Sequence, residues 1–371
     1  MDTDNSVYGQ YSMGSGSILT NPDQVWDKID ADEVIAAYEK SIRLDLQKSG
    51  IPLARIREFR IMDVGTGRQA IAFHRLGARF VQHYDISPQN VKKLSTFIED
   101  HSLQDRMATG CADLVEEPPP VGEFDLVYLN GIAQHFAHVG RGLVNCMRAV
   151  NDKGYLWLYF YRSGSFTMFV IDLLRDLIHP YADLKEYFVN AVLLHSTEAR
   201  RNFLVSNIMD NFFDPYVHLY TPRMYLDFVR ECGFDVVSSS RLDPLGRDVD
   251  HQFAYPSVVV TCQKVDSRSF GQAEAAKLAP EKRVNQIDPG LHLSEEIMQT
   301  IASYSALKQL LSTLPVPRSV VMSLSFRIYQ FLDAAPDSGR DADWGLHRDL
   351  QGILANTREL LQAEYGSRPL A

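Results

Sequence analysis

Two hydrophobic periods alternate through the first two thirds of this 371-residue chain. Short apolar runs bounded by turn residues recur at Arg60–Val64, Ala78–Tyr84, Phe124–Leu129 and Tyr155–Tyr161, each the length of a buried strand. Between them the spacing changes to that of helices. One is predicted over Ala70–Leu76, and a second opens at Ser87-Pro88, with Ser as N-cap and Pro in the first turn. Strands that alternate with helices predict an α/β fold built on a doubly wound parallel sheet. Such a sheet takes its ligand at the carboxyl ends of its strands.

The stretch Arg60-Ile61-Met62-Asp63-Val64-Gly65-Thr66-Gly67-Arg68-Gln69 runs a strand into a glycine turn that opens a helix. Glycine tolerates positive φ and lets the backbone come close to a ligand. The helix start adds free N–H groups and a partial positive charge. A nucleotide-like molecule is the expected occupant. Asp85 ends the next strand about 20 residues on, where a carboxylate can accept from two ribose hydroxyls. Cys111-Ala112-Asp113-Leu114 offers a further acid after a short strand, placed to accept from an adenine amino group. Phe124–Leu129 ends at Asn130-Gly131, and the turn Asp152-Lys153-Gly154 precedes the run Tyr155–Tyr161.

In this order the motifs resemble the class I S-adenosylmethionine-dependent methyltransferases. The matching positions are Asp63-Val64-Gly65-Thr66-Gly67, Tyr84-Asp85-Ile86-Ser87, Ala112-Asp113 and Phe124-Asp125-Leu126-Val127. Leu143 to Leu158 and Tyr220-Thr221-Pro222, opening a helix that ends at Cys232-Gly233-Phe234, complete the series. The order looks most like the small-molecule branch that includes the ubiquinone- and menaquinone-pathway methyltransferases. The resemblance covers roughly residues 55–265 and implies a Rossmann-like methyltransferase sheet with S-adenosylmethionine as cofactor. It places Asp63, Gly65, Thr66, Gly67, Asp85, Ile86, Ala112, Asp113, Asn130 and Gly131 around that cofactor. Gln69 departs from the family, which carries glycine there. Its side chain either bonds the ligand or faces solvent. A nicotinamide site uses the same physics, and Ala70 stands where its last small residue would fall. Asp113 and the closing Tyr220-Thr221-Pro222 element favour S-adenosylmethionine.

Composition narrows the substrate. The formal charge of −10 repels phosphate backbones, so nucleic acid is not the expected partner. Phe124-Asp125…Asn130-Gly131 also lacks the Asn-Pro-Pro-aromatic pattern of base-amino methylation. No apolar run is long enough to span a membrane, and Met1-Asp2-Thr3-Asp4 precedes no apolar leader core, so a cytoplasmic protein is expected. Cys111, Cys146, Cys232 and Cys262 lie far apart and read as reduced, semi-buried thiols.

Four regions are expected. Residues 1–54 hold a flexible start and a helix opened by Asn21-Pro22, with apolar Val25, Ile29, Val34, Ile35, Tyr38 and Ile42. Tyr8 and Tyr11 there either close over the cofactor, their ring faces attracting a sulfonium, or belong to a disordered tail. Residues 55–265 form the catalytic domain, interrupted at 162–220 by a helical insertion read as a substrate lid. Within it, Asp210-Asn211-Phe212-Phe213-Asp214-Pro215-Tyr216-Val217-His218 is either an acceptor pocket or a packed turn. Residues 266–292 are a polar linker. Residues 293–371 form a helical appendage with three patterns, Ser294–Leu314, Pro317–Ala334 and Asp341–Glu364. Oligomerisation, a partner protein or extra lid structure are its open roles.

Methyl transfer is an in-line displacement that needs little covalent help from protein. His135, just past the fourth strand, is the candidate base, with a packing or binding role as the other reading. His218 is a second candidate. Asp248-Val249-Asp250-His251 is too sparse for a hard metal ion, so no metal site is expected. The leading expectation is methyl transfer to an oxygen or nitrogen of a small molecule, such as a sugar or secondary metabolite. A non-catalytic cofactor-binding subunit docked to a partner enzyme through the C-terminal helices is one alternative. An RNA or protein methyltransferase is another.

Overall fold

The computed structural model describes residues 32–163, 216–239, 257–266, 295–313, 316–325 and 345–365, with positions 168, 171, 172, 175 and 278. Helix α1 (Asp32–Lys48) comes first, then β1 (Arg60–Val64), α2 (Arg68–Arg75), β2 (Phe80–Asp85), α3 (Pro88–Asp100), β3 (Met107–Cys111) and β4 (Phe124–Asn130). They are followed by α4 (Val139–Ala149), β5 (Val150–Tyr161), α5 (Pro222–Glu231), β6 (Phe234–Ser239) and β7 (Ser257–Lys264). Two helices close the described chain, α6 (Glu295–Thr313) and α7 (Gly345–Tyr365), with residues 318–325 helical between them.

The seven strands make one sheet in the order β3-β2-β1-β4-β5-β7-β6. β1 to β5 pair in parallel, and β7 runs antiparallel to both β5 and β6. From β1 the chain winds outward through β2 and β3, then returns to place β4 on the other side. That reversal opens a crevice between β1 and β4 at their carboxyl ends. Register aligns the site there, with Asp63 opposite both His83 and Tyr128, and Val64 opposite Tyr84.

Alternation along β5 covers both faces of the sheet. Leu156, Leu158 and Phe160 join the core beneath α4 and α5, while Trp157 joins the core beneath α1, α2 and α3. Trp157 stacks on Tyr128 at 4.0 Å and 13°. β5 starts earlier than the predicted run, at Val150. Asp152-Lys153-Gly154 lies in a bulge, where pairing jumps from Phe124↔Val150 to Leu126↔Tyr155 and Lys153 takes φ 62°. Asp125, part of the family-like motif, has a structural role. Its carboxylate accepts from the Arg60 amide (2.8 Å) and from Asn151 Nδ2 (2.7 Å), tying β1, β4 and the bulge together.

Helix starts follow the sequence signals. Ser87 Oγ accepts from the Asn90 amide and Thr221 Oγ1 from the Met224 amide, each followed by Pro in the first turn. α4 packs so tightly on Phe136 that a Cβ at Gly142 would overlap its ring. Gly142→Ala is therefore expected to destabilise by about 1–3 kcal/mol, despite the better helix propensity of alanine. Chemical denaturation compared with wild type measures it.

The ends of the insertion meet. Arg162 bridges to Tyr220 beside β5, and the Ser163 amide donates to the Tyr220 carbonyl at 3.0 Å. The chain thus leaves and re-enters the sheet edge at one place. Of the cysteines, Cys146, Cys232 and Cys262 are fully buried and Cys111 is exposed, so none is semi-buried as the sequence suggested. α6 and α7 pack on each other, burying Leu307 and Leu361, and Gln351 donates to Ser303 across the pair. No described helix is long and apolar enough to cross a membrane. Residues 1–31, Asp210 to Pro215 and Asp248 to His251 lie outside the described residues, and with them Tyr8, Tyr11 and the Asn21-Pro22 cap.

Candidate active site

The glycine turn supplies the floor of the crevice. Gly65 takes φ 130° and Gly67 φ 83°, values that L side chains rarely adopt. A Cβ on Gly65 would also sit 3.2 Å from Ile132 Cδ1, so the Ile132 side chain on the β4 loop would have to shift to admit one. The Gly65 amide donates to the Tyr84 carbonyl at 3.0 Å, and Gly67 is the N-cap of α2.

Three carboxylates stand around this turn. Asp63 is wholly buried, and neither of its oxygens has a hydrogen-bonding donor within reach. Burial raises its carboxyl to about 7, with the Asp85 charge adding to the rise and the Ala70 and Val64 amides opposing it at longer range. Asp85 closes β2, where Oδ1 accepts from the Ser87 amide (2.7 Å) and Oδ2 from Asn90 Nδ2 (2.9 Å). Burial raises it to about 6, against those two donors. Each oxygen keeps a second lone pair. Asp113 lies past β3 and accepts from the Val115 amide at 2.9 Å; burial raises its pKa as well. The Ala112 amide donates to the Asp85 carbonyl, which sets the second and third acids side by side.

The β4 loop forms the opposite wall. Gly131 takes φ 71° and donates its amide to the Tyr159 carbonyl at 3.0 Å. Gln134, fully buried, donates to the Gly131 carbonyl at 2.7 Å and fixes the loop. The 3-10 turn Ala133–His135 then buries His135. Its Nδ1 lies 2.9 Å from the Tyr216 carbonyl. A carbonyl only accepts, so Nδ1 carries a proton and donates it to Tyr216. Rings surround it. Tyr161 meets His135 edge-on at 6.0 Å, Tyr159 meets Tyr161 the same way, and Tyr216 stacks with His218. The His218 amide donates to the Gln134 carbonyl, drawing the end of the insertion onto the β4 loop.

Residues 62–158 match the methyltransferase domain family. This stretch is a methyltransferase domain. S-adenosylmethionine is its cofactor, and the residues present suit that molecule. The turn leaves space only a backbone can border, and the acids offer acceptors for its hydroxyl, amino and ammonium groups. No curated relative matches the chain. Among solved structures it is similar to a Burkholderia thailandensis 1,6-didemethyltoxoflavin-N1-methyltransferase holding S-adenosylhomocysteine. Identity is 14%, with 72% of this chain and 94% of that one covered and a TM-score of 0.39. An S-adenosylmethionine-dependent methyltransferase from Mesorhizobium loti is also 14% identical, with 64% and 100% covered and a TM-score of 0.39. Neither TM-score reaches 0.5, and these likenesses add no weight to the sequence match.

Within the methyltransferase domain, the structure brings Asp63, Gly65, Thr66, Gly67, Asp85, Ile86, Ala112, Asp113, Asn130, Gly131 and His135 to the carboxyl edge of the sheet. Gln69 is buried in the first turn of α2, which rules out its solvent-facing alternative. His83 is the residue that sequence reasoning passed over. It is wholly buried beneath the turn, its Nε2 2.6 Å from the Gly65 carbonyl and its Nδ1 2.8 Å from Thr109 Oγ1. The available signal was its inward position in the alternating strand Val81-Gln82-His83-Tyr84-Asp85. Among the described residues, no three His, Cys, Asp or Glu side chains gather as a metal site.

Proposed function

We propose that this protein transfers the methyl group of S-adenosylmethionine to an oxygen or nitrogen of a small molecule, a sugar or a secondary metabolite. The observation that carries this reading is His135, held through Nδ1 by the Tyr216 carbonyl just past the carboxyl end of β4. Its place at the end of β4, among Tyr159, Tyr161 and Tyr216, suits a general base beside an acceptor. Among methyltransferases we place the protein in the small-molecule branch resembling the quinone-pathway enzymes, and in the cytoplasm.

When bound, S-adenosylmethionine supplies an activated methyl group on a sulfonium sulfur. The chain's own residues bind, orient and deprotonate. Asp85 accepts from both ribose hydroxyls with its remaining lone pairs. Asp113 accepts from the adenine amino group, with Ile86 and Ala112 against the base. Buried Asp63 faces the ammonium. The amides of Thr66 and Gly67, with the start of α2, would take the carboxylate, while Gly65 shapes the turn beneath it. Asn130 and Gly131 would line the methionine end. His135 removes the acceptor proton through Nε2 as the new bond forms, and the Tyr216 carbonyl steadies the resulting imidazolium. The insertion 162–220 acts as the lid that selects the acceptor, and His218 at its end contributes to the acceptor pocket.

Incubation with methyl-labelled cofactor and a panel of sugars, phenols and amines tests this reading. Label is expected in a small molecule. Tight S-adenosylhomocysteine binding with no transfer to any acceptor would point instead to the non-catalytic subunit.

Both raised carboxyls bind ligand in their ionised forms, so the pH dependence has a definite sign. Asp63 and Asp85 hold protons to about 7 and about 6, and the ligand displaces those protons. S-adenosylhomocysteine affinity is expected to rise as pH climbs from 5.5 to 7.5 and to level off above. Each protonated carboxyl steepens the slope by about tenfold per pH unit. Titration calorimetry in buffers of different ionisation enthalpy should register net proton release at pH 6. A flat affinity over that range would mean neither carboxyl meets the ligand.

A further inference from the structure

We infer that His83 is a positioning residue for the cofactor: by holding the Gly65 carbonyl on the buried side of the turn, it aims the Thr66 amide into the crevice at the cofactor's carboxylate. This inference rests on the proposed cofactor reading. Its core is a three-strand relay at the carboxyl edge of the sheet. Thr109 belongs to β3, His83 to β2, and Gly65 to the turn leaving β1. The 2.6 Å contact from His83 Nε2 ends on a carbonyl oxygen, which only accepts, so Nε2 carries the proton and donates. Nδ1 of the neutral ring is then an acceptor, and the Thr109 hydroxyl donates to it at 2.8 Å. Burial holds the ring neutral, its pKa lowered to about 4.

The consequence for Thr66 follows from the peptide bond. The Gly65 carbonyl and the Thr66 N–H share one planar trans unit and point in opposite directions. Fixing the carbonyl toward wholly buried His83 fixes the N–H away from it. No backbone carbonyl among the described residues accepts from the Thr66 amide. Directly after it begins α2, whose free amides and positive end favour an anion. The one anionic group of S-adenosylmethionine is its carboxylate. Glycine at position 65 has no side chain to restrict its peptide planes, so the aim of the Thr66 amide needs an external hold. The relay provides it through a wholly buried imidazole.

The substitutions separate this role from general packing. Asn at 83 keeps a group near the Nδ1 position and loses the bond to Gly65, whereas Gln at 83 reaches as far as Nε2 and can still donate. His83→Asn is expected to weaken S-adenosylhomocysteine about tenfold, the worth of one hydrogen bond to a charged group, while His83→Gln recovers most of it. 5′-Methylthioadenosine has the same adenosine but no carboxylate, and its affinity should stay within about twofold in both variants. Thr109→Val, a milder change, should weaken S-adenosylhomocysteine by a smaller factor with the same indifference of methylthioadenosine. If His83→Asn and Thr109→Val bind both ligands as wild type does, or weaken both equally, the positioning role is overturned. Should the histidine variants not fold, Thr109→Val and the wild-type ring decide. Nitrogen NMR of wild type must show the Nε2-protonated tautomer from pH 5.5 to 8, and the other tautomer or a titration in that range overturns the inference. Wild type that binds neither ligand would sink the cofactor reading, and the NMR result would still judge the relay by itself.

Discussion

Asp85→Ala is expected to weaken S-adenosylhomocysteine binding by about a hundredfold or more. Two charge-assisted bonds to the ribose are lost, each worth roughly 1.5–3 kcal/mol, and about 1.4 kcal/mol is one decade of affinity. The protein itself should tolerate the change. Burial already disfavours the charged carboxylate, raising it to about 6, so its removal relieves a cost while releasing the Ser87 amide and Asn90. Calorimetric titration and thermal unfolding on the same sample separate the two effects. Affinity within threefold of wild type, in a folded variant, would move the ribose seat away from the end of β2.

His135→Ala should lower the rate of methyl transfer by about 10²–10⁴, the range for loss of a positioned general base. S-adenosylhomocysteine affinity should stay within about twofold, because the ring stands against the acceptor side, beside Tyr161 and the Tyr216 carbonyl. A folded variant with the wild-type rate would leave His135 as a packing residue that anchors the insertion to the β4 loop.

These two residues were visible in the sequence for different reasons. Asp85 follows a fixed distance after a glycine turn at a strand end, and the parallel register of β1 with β2 brings both to one edge. Such placement is local: a strand, a turn and a helix of ordinary length leave few alternatives. His135 was located by its distance past β4, but its tautomer depends on Tyr216, eighty-one residues later in the chain. No spacing rule reports a contact made across an insertion.

The same division runs through the molecule. Gln69 was legible as a departure from the family, yet only packing decided that it points inward. The cysteines had the right chemistry and the wrong burial, because exposure depends on what covers each thiol. Cys146 lies on the face of α4 that packs into the core, whereas Cys111 ends strand β3 at the open edge. The bulge in β5 hides Asp152-Lys153-Gly154 inside a strand, since pairing with β4 resumes on the far side of the turn.

By itself the sequence determined the alternating α/β order, the glycine turn, the three acids at strand ends and the capped helix starts. Each depends on residues within a few positions of one another. Tertiary structure alone decided the buried state that lifts Asp63 to about 7, the tautomer of His135 and the relay from Thr109 through His83 to Gly65. Those properties arise where strands distant in sequence exclude water together, and desolvation and hydrogen-bond direction belong to the assembled environment.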